Sequence, residues 1–232
     1  MIKWNILILS QPDRARFLAR LLAVLKPQIE EHPDIEVITR MFDSSLDLGA
    51  NRQAMLNVAS GTYVCFVDDD DLIPASYIST IYPLLDGVDY IGFQLQYFAD
   101  GVKQNPTYHS LRYKDWNADR NGAYRDISHV NPIRRELALL VPMSGGFGED
   151  ERWARALRKK NVVKTEHYVN SVMYYYYFRS DKRSMNPAAQ VTNRPQLETP
   201  SVRVPCPSCG STATGIAGGM RRCNQCQYSW SP

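Results

Sequence analysis

The sequence predicts an α/β protein built on a parallel sheet, followed by a small cysteine-rich module. Three observations carry this. Short apolar runs alternate with helical apolar stripes through the first 70 residues, turn residues separate them, and four of the five cysteines fall within residues 206–232. Strand, helix, strand, helix, strand with short joins is the pattern of a parallel sheet covered by helices.

Each element has a local reason. Residues 4–9 are a short apolar run closed by Ser10-Gln11-Pro12, the signature of a buried strand. Asp13 can cap a helix whose Phe17, Leu18, Leu21, Leu22 and Leu25 share one face. Pro33-Asp34 precedes a second strand, residues 35–38, and residues 47–59 form a second helix with Ala50, Ala54, Met55 and Val58 inward. Gly61 stops it, and residues 62–67 are β-branched or aromatic apart from Cys65, a third strand. A helix is expected from Pro74 to Leu85, antiparallel strands between Tyr90 and Tyr113, and a helix over residues 149–160. Residues 162–163 and 172–178 complete the strands. Residues 181–202 are polar, contain proline and lack periodicity, so the expected division is a domain over 1–180, a linker over 181–202 and a module over 203–232.

Composition narrows the function. A formal net charge of +3 excludes a protein that wraps nucleic acid by charge alone. No apolar run reaches the roughly 18 residues of a membrane span, and the N-terminal run is too short for a signal peptide. A cytoplasmic protein with no membrane span is expected.

The chemistry concentrates in two acidic segments. Asp68-Asp69-Asp70-Asp71 follows the third strand, where open α/β sheets bind ligands. Four aspartates by themselves make a solvated turn, but the apolar strand before them and Leu72-Ile73 after them place these in a packed cleft. Residues i and i+2 of an extended chain point the same way, so Asp68 and Asp70 can converge on a cation, and Mg²⁺ or Mn²⁺ suits oxygen ligands beside phosphates. The second segment, Gly148-Glu149-Asp150, opens a helix after a glycine-rich loop. Acidic residues there complement the helix dipole whatever else they do.

The stretch from Gly49-Ala50-Asn51-Arg52 through Ala59-Ser60-Gly61-Thr62-Tyr63 to Asp68-Asp69-Asp70-Asp71 resembles the centre of the family 2 glycosyltransferases. The resemblance covers roughly residues 3 to 180. It implies a GT-A fold, a Rossmann-like mixed sheet flanked by helices, and transfer of a sugar from a nucleotide-diphosphate sugar, a UDP-sugar first among them. Matching residue by residue, it implies that Asp43 recognises the base and that Ser10 and Arg14 lie against the nucleotide. It implies that Arg52, Asp68 and Asp69 bind the nucleotide-sugar and that Asp68 and Asp70 hold Mn²⁺ or Mg²⁺. The Glu149-Asp150 pair stands where inverting members keep their general base, with Asp150 the base and Glu149 its neighbour. His129 falls in a segment that some members place beside the acceptor. Ser10-Gln11-Pro12-Asp13 and Ser44 depart from the family pattern, which bears on the nucleotide's identity more than on the fold.

The acceptor is expected to be a hydroxyl of a large molecule, with polysaccharide, glycolipid and hydroxylated DNA bases as the candidates. Two other classes share parts of this pattern: a nucleotidyltransferase, and a non-catalytic adaptor that binds nucleic acid or protein through its C-terminal module. In that module Cys206-x-x-Cys209 and Cys223-x-x-Cys226 have the spacing of a tetrahedral Zn²⁺ site with four thiolates, and the segment resembles a zinc ribbon.

Overall fold

The computed structural model describes residues 1–180 together with three short strands beyond them. The chain divides into two units, Met1–Arg194 and Pro195–Pro232. In the first, β1 (Trp4–Ser10), α1 (Ala15–Ile29), β2 (Ile35–Met41), α2 (Leu48–Val58) and β3 (Tyr63–Phe66) follow in the expected order. Next come α3 (Tyr77–Ile81), β4 (Tyr90–Ala99), β5 (Val102–Lys103), β6 (Thr107–His109), β7 (Asn117–Asp119), β8 (Gly122–Arg125) and β9 (Ile133–Arg134). The unit closes with α4 (Arg135–Ala138), α5 (Glu149–Lys160) and β10 (Glu166–Phe178).

These strands form one mixed sheet in the order β2-β1-β3-β9-β4-β6-β8-β7, with β5 and β10 also paired to β4. β1 runs parallel to both β2 and β3, as the alternating pattern requires. β9 is antiparallel to β3, and β10 is parallel to β4 with bulges around Val172.

Period-two alternation along β1 assigns the two faces of the sheet. Trp4, Ile6 and Ile8 pack with Leu21 and Leu25 of α1 and with Tyr77, Ile78 and Ile81 of α3. Leu7 and Leu9 pack with Met55 and Leu56 of α2 and with Trp153, Ala154 and Leu157 of α5. Helices therefore cover both faces. Each such buried side chain contributes about 1.5–3 kcal/mol of transfer free energy, which fixes the strand ends that carry polar groups.

Asn5 is a polar residue within the apolar run of β1, fully buried. Its Oδ1 accepts the backbone N–H groups of Ser60 (2.9 Å) and Gly61 (2.5 Å), and its Nδ2 donates to Glu36 (2.7 Å). The turn between α2 and β3 is thereby tied to the central strand. A Cβ at Gly61 would stand 2.8 Å from Asn5 Oδ1, so the tie requires glycine there.

Several boundaries differ from the sequence expectation for local reasons. Asp13 does not cap α1: Pro12–Arg14 form a 3-10 turn and α1 begins at Ala15 without a side-chain cap. α1 also continues across Pro27, where Gln28 Nε2 reaches back to the Val24 carbonyl at 2.9 Å. Asp47 caps α2 by accepting from Ala50 N–H at 2.7 Å. The helix expected from Pro74 to Leu85 is only Tyr77–Ile81 plus a 3-10 turn, Tyr82–Leu84, because Pro83 lacks the N–H an α-helix needs. Residues 162–163 are not a strand, while the strand expected at 172–178 begins at Glu166.

The second unit contains an antiparallel sheet of β11 (Thr214–Ala217), β12 (Met220–Cys223) and β13 (Ser229–Trp230). The expected zinc ligands Cys206, Cys209 and Cys226 lie outside the described residues, and Cys223 is placed only as the last residue of β12.

Replacing Asn5 by leucine leaves two N–H groups unpaired, at about 1–3 kcal/mol each. Urea denaturation is expected to show a loss of about 3 kcal/mol, with the m-value unchanged.

Candidate active site

The carboxyl ends of β1 and β3 open onto a cleft of about 510 Å³. Both acidic segments line it, together with His129 and residues of β6 and β8.

The four consecutive aspartates have four environments. Asp71 points inward: its carboxylate accepts from Tyr174 Oη (2.9 Å) and from Tyr177 N–H (2.8 Å), while Tyr174 Oη in turn accepts from Asp68 N–H (3.0 Å). The tyrosine run of β10 thus holds the acidic turn in place. Burial, with repulsion from Asp70 and Asp68, pushes Asp71 well above the usual carboxylate range. Asp69 is also buried, accepting from Ser10 Oγ (2.6 Å) and Arg14 Nη1 (2.8 Å). Burial raises its pKa against both partners. Ser10 and Arg14, expected beside the nucleotide, are buried and brace this turn from the end of β1.

Asp70 lies 3.4 Å from Arg14 and 3.7 Å from Arg179. Burial first, opposed by Arg14 and reinforced by Asp68 and Asp69, lifts its pKa to about 6. Asp68 is the most exposed of the four side chains. Burial would raise its pKa, but Arg52 Nη2 at 2.7 Å and the His129 ring at 3.7 Å hold it far below the usual range.

Arg52 joins the two acidic segments. Its Nη1 meets Glu149 Oε1 at 2.5 Å while its Nη2 holds Asp68. The approach depends on Gly49: a Cβ there would stand 2.5 Å from the Ser144 backbone, and Gly49 N–H donates to the Gly145 carbonyl at 2.9 Å. The first turn of α2 therefore rests directly on the loop that begins α5. That loop is shaped by Gly145 (φ 84°) and Gly148 (φ 82°) in the left-handed region. Arg152 ties it by donating to the carbonyls of Gly146 (2.7 Å) and Phe147 (3.2 Å).

Glu149 and Asp150 are consequently different. Glu149 is buried against Arg52, and burial raises its pKa. Asp150 is part-exposed in the cleft, 3.3 Å from His129 Nδ1. Burial opposes its ionisation, but His129 and then Arg52 overcome this and hold it far below the usual range. His129 is buried between Asp150 and Asp68, whose carboxylates raise its pKa against burial and Arg52. Asp43 stands apart from the cleft lining: its Oδ1 accepts from Ser45 N–H (2.9 Å) and Oγ (2.6 Å), closing a turn beyond β2.

The far wall of the cleft was not legible as a site. His109, Arg125, Trp116 and Ser128 line it from β6, β8 and the neighbouring loops. No motif links them. Their only sequence signal is strand alternation, which says that 107 and 109, or 123 and 125, share a face.

The arrangement can bind a polyanion near two arginines, hold acidic groups ionised and place Asp150 against a second molecule in the same cleft. The sequence profile of Glycosyl transferase family 2 matches residues 8–139, more than half of the chain. The chain belongs to glycosyltransferase family 2. The match includes Asp43, Arg52, the aspartate run and His129, and ends before Glu149-Asp150. Among solved structures, S. aureus TarS 1-349 in complex with UDP-GlcNAc is similar at TM-score 0.55 and 14% identity, over 83% of this chain and 62% of that one. TarS 1-349 in complex with UDP gives 0.52 and 14%, over 78% and 62%. Glucosyl-3-phosphoglycerate synthase from Mycobacterium tuberculosis, with Mn²⁺, UDP and phosphoglyceric acid, gives 0.48 and 12%, over 75% and 70%. This family 2 chain thus spans about 62% of the length of TarS 1-349, and at these identities the likeness is one of fold. No curated protein matches the sequence.

Two histidines in this site titrate in opposite directions. His109, pushed down to about 3 first by burial and then by Arg125, stays neutral. Unfolded histidine takes a proton near 6.5, so the unfolded chain binds the extra proton between pH 6.5 and 3. Stability is therefore lost as pH drops from 6.5 toward 3, by about 1.4 kcal/mol per unit. His129 has the reverse sign: its contribution is complete below 6.5 and is lost as pH rises through its elevated folded value. NMR titration of the imidazole protons is expected to place the His129 midpoint above 6.5 and the His109 midpoint below 4.

Proposed function

We propose that this chain transfers a sugar from a nucleotide-diphosphate sugar to an acceptor hydroxyl with inversion at the anomeric carbon. The observation that carries the reading is the family 2 match combined with Asp150, ionised and part-exposed in the cleft that Asp68 and Asp70 also line. TarS holds UDP-GlcNAc, which makes a UDP-sugar the first donor to test. Asp43, near the carboxyl end of β2, is the proposed base contact.

In the reaction the acceptor oxygen attacks C1 of the donor sugar, and its proton passes to Asp150. The bond from C1 to the diphosphate oxygen breaks with its electron pair leaving on the diphosphate. A carboxylate within about 2.6–3.2 Å of the hydroxyl suffices for that proton transfer. His129 holds Asp150 from the other side and keeps it ionised, while Glu149, closed against Arg52, sets the position of the arginine.

Asp70 and Asp68 are the proposed ligands of Mn²⁺ or Mg²⁺. The donor set is all oxygen, and both carboxylates line the cleft. Among the described residues no group of three side chains suited to hold a metal is present, so water and diphosphate oxygens would complete the shell, as Mg²⁺ commonly prefers. When bound, the ion offsets the charge that develops on the departing diphosphate.

Polysaccharide, glycolipid and hydroxylated DNA bases remain the proposed large acceptors. The second unit is proposed to be a zinc ribbon, resting on the four-thiol spacing. No helix among the described residues is long and apolar enough to cross a membrane; the cytoplasm is the proposed location.

Incubation with UDP-, GDP- and TDP-sugars and Mn²⁺, followed by thermal shift and donor hydrolysis, tests the reading. Asp150→Asn is expected to lose 10²- to 10⁴-fold in transfer with donor affinity kept, whereas Asp70→Asn loses the Mn²⁺ dependence of donor binding. Full transfer by folded Asp150→Asn would remove Asp150 as the base. Elemental analysis is expected to give one zinc per chain, and a zinc-free folded chain would reject the ribbon.

A further inference from the structure

The wall of the cleft opposite the nucleotide half is built to take an anion. In the parallel pair β6–β8, Thr107 faces Ala123 and His109 faces Arg125. All four line the cleft. The intervening Tyr108 and Tyr124 stack on the other side with ring centres 5.5 Å apart, as strand alternation requires.

Arg125 differs from the other two arginines of the cleft. Arg14 and Arg52 are each clamped by carboxylates. Among the described residues no carboxylate pairs with Arg125; its guanidinium lies over the Trp116 ring, 4.2 Å from the centroid. Stacking covers a guanidinium face and leaves the in-plane N–H groups able to grip an oxyanion. Arg125 is also close enough to depress the pKa of Asp150.

His109 supplies a second, independent signal. It is fully buried, yet its Nε2 has no partner. Asn131 Nδ2 donates to the Ile91 carbonyl at 2.9 Å, so its Oδ1 must accept from His109 Nδ1 at 2.6 Å. The ring proton therefore sits on Nδ1, and Nε2 is a bare acceptor. Ser128 Oγ, also lining the cleft, is likewise buried without a partner. Buried polar atoms of this kind are rare in native proteins and call for a partner.

We propose that Arg125, His109 and Ser128 form the acceptor subsite and that the acceptor carries a phosphoryl or carboxyl group near its hydroxyls. The anion meets Arg125, and a hydroxyl donates to His109 Nε2. The place of this subsite as the acceptor side rests on the transferase reading above. The nucleotide belongs to the ends of β1–β3, and β6 and β8 lie on the other side of β9 and β4 in the sheet.

The test is calorimetric titration of the full chain, with and without UDP and Mn²⁺, using glycerol, glycerol 3-phosphate and glycerate as probes. Wild type is expected to bind both anions at least tenfold more tightly than glycerol. Arg125→Gln is expected to bring all three within twofold of one another, Arg125→Lys to keep part of the preference, and UDP affinity to stay within twofold in both. The proposal is overturned if wild type shows no preference for the anions, if the preference survives Arg125→Gln, or if that variant loses UDP, which would place Arg125 on the donor side. Saturation with glycerol 3-phosphate is expected to shift the His109 ring resonances, and an unmoved spectrum removes His109 from the subsite. A wild type that discriminates the anions but ignores UDP keeps the subsite and rejects the transferase reading instead.

Discussion

Arg52 is a cation inside the protein, and the cleft is arranged around satisfying it. A buried guanidinium is costly unless its charge is met and its N–H groups are used. Here Asp68 and Glu149 meet it from two segments 81 residues apart in the chain, at 2.7 and 2.5 Å. That pairing requires α2 and the start of α5 to touch, which Gly49 allows by having no side chain where the Ser144 backbone passes. With Glu149 fixed, the next residue on α5 faces the cleft, and Asp150 reaches His129. The two ion pairs of Arg52 therefore set the position of both acidic segments and of the histidine between them.

Charge alternates through this network. Glu149, Arg52, Asp68, His129 and Asp150 run negative, positive, negative, positive, negative when His129 is protonated. Each group stabilises the ionised state of its neighbours, which is why Asp68 and Asp150 stay ionised despite burial. Asp70 lies at the edge of the network with only longer contacts to Arg14 and Arg179, and its pKa rises to about 6. Adjacent residues of one motif thus have opposite electrostatics because their neighbours differ.

The strands, the helices and their alternation were legible in the sequence, since apolar period and turn residues act locally. So was the importance of Asp68 to Asp71 and of Glu149-Asp150. The division of labour within them was not. Ser10, Arg14 and Asp69 bond to one another beneath the turn, and Arg14 and Asp69 also line the cleft, while Tyr174, expected only as a sheet residue, supports the acidic turn. His109 and Arg125 were marked only by alternation, which is faint because each lies in a strand of four residues or fewer.

By itself, the sequence determined the α/β class, the alternation of strands and helices in the first half and the two acidic segments, and its motifs carried the resemblance to the family. The elements follow from local apolar period and turn residues. Only the tertiary structure decided which carboxylate is sealed, which faces the cleft and which of the cleft arginines has no carboxylate partner among the described residues. These depend on pairings across tens of residues, where burial turns a charge from a solvated surface group into one that must find a partner.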